Sequence, residues 1–207
     1  AGGQDAKGAW PGDKKGGVVL DLIVDLPVQE LWALFTSDSE KSTMWRRLNR
    51  HRKYEEVTTG EWSASKGEGR ERESTYITGF KSSFIRGKHK TYETHRVVLE
   101  PEGGASFAME VSARVPTLPI GDCMRTVVQY CMCDRDGSSS FLRASYETVY
   151  TKTPMLKGQI EKNTAEGVRD NAKDLRATLA TIAEVREDPH AVGAGSGKPT
   201  AHRRRGS

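Results

Sequence analysis

The chain has 207 residues, enough for one domain with polar ends, and 35% of them are hydrophobic. A net charge of +4 is too weak to argue for a nucleic-acid partner, though it suits an anionic membrane surface. No apolar run approaches the roughly 18 residues that a bilayer-spanning helix needs.

Residues 1–16 are rich in Gly and Lys and read as disordered linker. Residues 17–25 (GVVLDLIVD) read as a strand. Pro27 suits the first turn of a helix, and Val28, Leu31, Trp32, Leu34 and Phe35 give that helix its apolar stripe. Ser37-Asp38-Ser39 breaks it, and Met44, Trp45 and Leu48 mark a short second helix. Six strands follow, over 53–63, 70–79, 88–100, 105–115, 123–134 and 140–152. Between them lie the turns Lys66-Gly67-Glu68-Gly69, Glu102-Gly103-Gly104 and Asp134-Arg135-Asp136-Gly137.

The strands alternate: Phe107, Met109, Val111, Ala113 and Val115 share one face, and Leu142, Ala144, Tyr146, Thr148 and Tyr150 share another. From Met155 to about Arg186 the period changes to that of a helix. Leu156, Ile160, Thr164, Val168, Ala172, Leu175, Leu179 and Ile182 form the inner stripe. Residues 188–207 read as a disordered tail ending in His202-Arg203-Arg204-Arg205, so the folded unit spans 17–187. Seven antiparallel strands, two short helices after the first and a long final helix predict an α+β fold whose curved sheet grips that helix.

The chemistry of catalysis and metal binding is not visible. Cys123, Cys131 and Cys133 lack a CxxC knuckle, and an odd number of thiols with two so close fits a reducing, cytosolic setting. The five histidines show no paired spacing, and neither GxSxG nor HExxH occurs. Gly193-Ala194-Gly195-Ser196-Gly197-Lys198-Pro199 imitates a P-loop, but Val192 stands where the first Gly should be and Pro199 replaces the Ser/Thr. No cofactor, metal site or catalytic residue is expected.

Five segments, in order, resemble VASt domains, the START-like lipid-transfer modules of the Aster and Lam sterol transporters and their plant relatives. They are Leu31-Trp32-Ala33-Leu34-Phe35-Thr36-Ser37-Asp38-Ser39, Gly60-Glu61-Trp62, residues 72–76 with the loop after them, Val115-Pro116-Thr117-Leu118-Pro119-Ile120-Gly121-Asp122, and Lys157-Gly158-Gln159-Ile160-Glu161-Lys162-Asn163. The lid departs from the Pro-x-Gly-Pro-like pattern of many relatives and reads Gly79-Phe80-Lys81-Ser82-Ser83-Phe84-Ile85-Arg86-Gly87.

The resemblance implies a START-like helix-grip cup that holds one sterol or similar apolar lipid without catalysis and opens at a membrane. Gly79, Phe80, Lys81, Phe84, Ile85, Arg86, Gly87 and Lys88 are then a lid that touches an anionic membrane. On composition alone they make an ordinary connecting loop with inward-packed Phe side chains. The lining expected from inward positions is Tyr76, Phe107, Met109, Val111, Val128, Tyr130, Tyr146, Thr164, Gly167 and Val168, with plain core packing as the alternative for each. Tyr76, Gln129 or Tyr146 is the expected partner of a sterol hydroxyl.

The resemblance also places the chain as a monomeric domain of a larger, membrane-anchored protein at the cytosolic face of membranes, at endoplasmic reticulum contact sites. A lipid sensor that recruits partners without moving cargo, and a cyclase-like enzyme, are the competing functions.

Overall fold

In the computed structural model, residues 10–37, 42–65, 67, 69–81, 86–101, 103–118, 121–152 and 154–189 are described. Strand β1 (Val18–Val24) leads into helices α1 (Val28–Thr36) and α2 (Thr43–His51). Then come β2 (Glu55–Thr59), β3 (Ser63–Ala64), β4 (Arg70–Lys81), β5 (Arg86–Leu99), β6 (Ser106–Arg114), β7 (Met124–Asp134) and β8 (Ser140–Tyr150). Helix α3 (Lys157–Leu179) and strand β9 (Val185–Glu187) complete the described elements. The strands form one sheet in the order β2-β4-β5-β6-β7-β8-β1-β9, with β3 beside β4. The long helix lies across one face, so the architecture is the α+β helix-grip.

Local chemistry accounts for the helix ends. Pro27 stands just before α1 with its φ already helical. Ser42 caps α2 by accepting the Trp45 amide at 3.2 Å, and Arg50 and His51 sit in the last turn, where cations meet the negative end of the helix.

The α1–α2 pair closes one end of the sheet: Trp32 stacks on Phe107 at 5.1 Å, and Phe35 contacts Trp45 and Tyr130. The main core continues through Leu22, Val24, Met109, Met132, Leu142, Leu175 and Leu179. It is held from the side by Arg72, which is 2% exposed and donates to the carbonyls of Phe35, Thr36 and Ser37.

Two elements differ from the sequence reading. The expected strand over 53–63 is two strands, because the chain leaves the sheet after Thr59 and drives Trp62 back toward α1. There Trp62 Nε1 donates to Thr36 O at 2.7 Å, and the Arg70 and Arg72 guanidinia lie 4.8 and 4.5 Å from its ring centroid. The final helix, expected from Met155 to Arg186, is shorter at both ends.

At its C-terminus Thr181 turns back: its hydroxyl donates to Thr178 O at 2.7 Å while Ile182 and Ala183 amides share Leu179 O. The remaining apolar residues reach the core through a turn and β9, which pairs with β1. Apolar spacing alone cannot separate that path from another helical turn. At the N-terminus Met155 is fully exposed and Leu156 is half-exposed. Among the described residues the sheet therefore has nine strands rather than seven.

Residues 10–16, which composition reads as linker, lie against the sheet's outer face. Trp10 Nε1 donates to Met132 O at 3.1 Å, and its ring packs on Ile23, Cys133 and Phe141. Gln129 donates to Gly12 O at 3.2 Å, Lys14 pairs with Glu110, and Gly16 bonds Tyr146 O at 2.8 Å. The Trp10 and Lys14 side chains, with backbone bonds at Gly12 and Gly16, anchor a segment whose composition reads as linker.

Candidate functional site

Between α3 and the inward faces of β1 and β4–β8 is a cavity of about 720 Å³. It exists because α3 sits down on the sheet only along its C-terminal half, where Ala172, Leu175 and Leu179 join the core with Leu20, Leu22 and Ala144. Toward its N-terminus the helix offers small or polar residues instead, including Thr164, Asn163 and Gly167. A Cβ built on Gly167 would meet nothing within 4 Å, so that position is open space.

The wall is mostly apolar: Val111, Val128, Ala144, Met124, Leu118, Ile160 and Val168 all line it. Gly121 lines it too, and its backbone comes so near the Val115 carbonyl that any Cβ would clash.

The inner end of the cavity is polar. Tyr76 donates from its phenol to Glu93 Oε1 at 2.7 Å, and His95 Nε2 lies 3.1 Å from Glu93 Oε2. Arg72 Nε reaches His95 Nδ1 at 3.3 Å, which ties this group to the carbonyls that end α1. Tyr54 stacks on Tyr76 at 4.0 Å, and Arg52, whose Nη2 donates to Asn171 O of α3 at 2.7 Å, lies over the Tyr54 ring. A smaller space of about 40 Å³ adjoins this end, among Trp45, Asn49 and His95.

Burial by itself would raise the Glu93 pKa, but hydrogen bonds from His95 and Tyr76, with the Arg52 charge, outweigh it and hold the carboxyl below its ordinary value. Burial, reinforced by the Glu93 charge, pushes Tyr76 well above the ordinary phenol range. Burial takes Tyr130 to about 12.

The structure brings seven of the ten expected lining residues to this cavity: Tyr76, Val111, Val128, Tyr130, Thr164, Gly167 and Val168. Phe107 and Met109 share their face but lie farther along β6, filled in by Trp32 and the core. Tyr146 is 8% exposed and is not a lining residue; its ring sits within 2.9 Å of where a Gly16 Cβ would be. Gln129 also misses the cavity, because it faces outward to Gly12 O and Cys131 Sγ.

The expected lid is largely ladder. Gly79 pairs with Lys88, Phe80 with Gly87 and Lys81 with Arg86, so the hairpin is strand up to Lys81 and from Arg86. Phe80 and Gly79 line the cavity, and the Phe80 ring meets His89 edge-on at 5.7 Å. Lys88 Nζ is paired with Glu55 at 2.7 Å. Phe84 and Ile85 lie outside the described residues.

Missing from the residues expected at the site were Arg52, Tyr54, Thr91, Glu93 and His95. For three of them a signal was present: Thr91, Glu93, His95 and Val97 occupy alternate positions of one strand, so polar residues stand where an amphipathic strand needs apolar ones.

The family model described as VAD1 Analog of StAR-related lipid transfer domain, or VASt, matches residues 18–167. The chain is also similar to the C2 and GRAM domain-containing protein At1g03370 of Arabidopsis thaliana, with 27% identity over 177 residues. That match takes in 82% of this chain but only 17% of the relative's length. Among solved structures it is similar to TTHA0849 from Thermus thermophilus, with a TM-score of 0.47 and 14% identity over 78% of this chain and 92% of that one. Ara h 8.0201 follows, with a TM-score of 0.45 and 12% identity over 78% of this chain and 95% of that one.

Proposed function

The chain belongs to the VASt family and is a lipid-binding domain, and from that premise we propose that it binds a sterol or similar lipid in the cavity and carries it between membranes without catalysis. The observation that carries the proposal is the 720 Å³ cavity with apolar walls and one polar end. It is the size of ordinary small-ligand sites, ~300–1,000 Å³. It also matches the form of a molecule that is apolar along its length and polar at one tip.

Membrane docking is assigned to the end of the cavity away from Glu93. Leu156 and Phe80 line that end, and Met155 beside it is fully exposed. Apolar tips next to Lys157 and the cations of the β4–β5 hairpin suit an anionic surface. No helix of the described residues is long and apolar enough to cross a membrane. Working as a monomer in a larger anchored protein, on the cytosolic face at endoplasmic reticulum contact sites, forms the rest of the proposal.

The test is dehydroergosterol transfer between anionic liposomes, by the wild-type chain, by Gly167→Trp and by the double change Met155→Ser, Leu156→Ser. Transfer by wild type, loss of binding in the first variant and loss of liposome contact in the second are expected. Sterol binding and liposome contact without transfer would convert the reading to a lipid sensor. A folded chain that binds no lipid would remove it.

A further inference from the structure

The two faces of the β4–β5 hairpin differ in chemistry. Tyr76, Thr78 and Phe80 of β4 line the cavity, and their ladder partners Thr91, His89 and Gly87 share that face. Arg86, Lys88, Lys90 and Tyr92, at the alternate positions of β5, therefore share the opposite, outward face, and all four are exposed.

The cations continue across the sheet. Arg114 lies opposite Tyr92, and one step beyond the Ala113–Thr126 pair it meets Arg125, which lies opposite Val149. Both arginines are exposed, because Ala113 and Val115 on one strand, and Met124 and Thr126 on the other, are the neighbours that face the cavity. The centre of the Tyr92 ring is 5.8 Å from Lys90 Nζ and 5.4 Å from Arg114 Cζ. Of the five cations Arg86, Lys88, Lys90, Arg114 and Arg125, Lys88 alone has a carboxylate partner among the described residues, Glu55.

Such a patch is unfavourable for the isolated protein. Like charges directly opposite each other in a sheet repel, and the Arg114 and Arg125 Cβ atoms are held only about 5 Å apart. An anion seated between them removes the repulsion. The patch also stands at the open end of the cavity, which Arg114 borders together with Phe80 and Leu156.

Accepting the reading that this end docks on a membrane, we infer that the outward patch is a second lipid site, one that takes the phosphomonoester headgroup of an anionic lipid. Arg114 and Arg125 hold the phosphate, Tyr92 lies against the rest of the headgroup, and Arg86 and Lys90 meet neighbouring phosphates of the leaflet. A phosphomonoester carries about −1.5 to −2 charges at neutral pH and three acceptor oxygens, which suits two guanidinium forks side by side. A headgroup of single net charge leaves that pair half compensated. A membrane fits better than single-stranded nucleic acid, because one exposed ring stacks one base, whereas the exposed Met155 stands at the same end.

The experiment measures sedimentation of the full chain with phosphatidylcholine vesicles that contain either phosphatidylserine or phosphatidylinositol 4-phosphate at matched surface charge. It compares wild type with the double change Arg114→Gln, Arg125→Gln and with the double change Arg46→Gln, Arg50→Gln, which removes the same charge from exposed positions of α2. Wild type is expected to favour the phosphoinositide vesicles by on the order of tenfold. The first variant loses that preference and melts no lower than wild type, since a repulsive pair is gone; the second variant keeps it. Equal binding of both vesicles by wild type, a preference that survives the first variant or is lost as fully in the second, or a first variant that melts below wild type overturns the inference and leaves docking through Met155 and Leu156 standing. Tighter binding of polyuridine RNA than of either vesicle, lost in the first variant, also overturns it. A folded chain that binds no vesicle overturns both the inference and the docking.

Discussion

Tyr76 and Glu93 are joined by a 2.7 Å hydrogen bond although they are not opposite each other in the sheet: Tyr76 faces Thr91 and Glu93 faces Ser74. The bond is a diagonal one across the β4–β5 pair, within reach only because the Tyr side chain is long. It places a carboxylate and a phenol at the inner end of an apolar space, with His95 and Arg52 supporting the charge. Three consequences of this arrangement, and one of the outer face, can be measured.

Glu93 makes the fold sensitive to acid. Its folded pKa is lowered, so its contribution to stability is complete above its unfolded value of about 4.3 and is lost as pH falls through the lower folded value. Urea midpoints of wild type should therefore drop on acidification below about pH 4, and Glu93→Gln should flatten that part of the profile. At pH 7 the variant is less stable by ~1–3 kcal/mol, because its neighbours lose a charged acceptor. Equal slopes in the two proteins would acquit Glu93.

Arg72 is the structural partner of the same group. It satisfies three carbonyls at the end of α1 while touching His95, and it is almost wholly buried. Arg72→Met should cost ~3–5 kcal/mol in urea denaturation, since it strands buried acceptors. Arg72→Lys should recover little, because an ammonium cannot present the planar fork that spans them. A loss below ~1 kcal/mol in Arg72→Met would show that solvent reaches these carbonyls.

Gly167 separates stability from binding. A methyl there meets nothing within 4 Å, so Gly167→Ala should raise stability by up to ~1 kcal/mol through helix propensity and leave room for ligand. Gly167→Trp should fold and lose lipid, because the indole occupies the space under α3. Calorimetric melting and sterol binding on the same samples check both parts; destabilisation by Ala would mean that the helix approaches the sheet more closely there.

The N-terminal arm protects a thiol. Cys131 is 2% exposed beside Gln129, and burial pushes its pKa up to about 12. Removing residues 1–16 takes away Gly12, Trp10 and Lys14 from the outer face. Alkylation of Cys131 at pH 8, followed by mass spectrometry of its peptide, should then speed up on the order of tenfold. An unchanged rate would mean that the sheet alone shields the sulfur.

Much of the architecture was legible because its signals are local. The alternation of residues 107–115 and 142–150, the Gly-containing turns and the stripe of α3 are set by neighbours two to four positions away. The end of α3 was not legible, because Ile182, Ala183 and Val185 continue an apolar pattern that a turn stabilised by Thr181 reroutes into the sheet. The arm was not legible because one Trp finding a groove 122 residues away leaves no mark on composition.

By itself the sequence determined the succession of the seven longer strands, most of their inward faces and the five segments that resemble VASt domains, since each depends on short spacings along the chain. Only the tertiary structure decided that Phe107 and Met109 are filled core while Val111 and Val128 border open space. A cavity is the difference between the sheet–helix separation and the volume of the side chains between them, and that separation is set where Ala172, Leu175 and Leu179 pack on Leu20, Leu22 and Ala144, far along the chain from β4–β7. The same is true of the polar end: Tyr76, Glu93, Arg52 and Thr91 acquire their partners, or lack one among the described residues, through strand register and helix placement that no local pattern encodes.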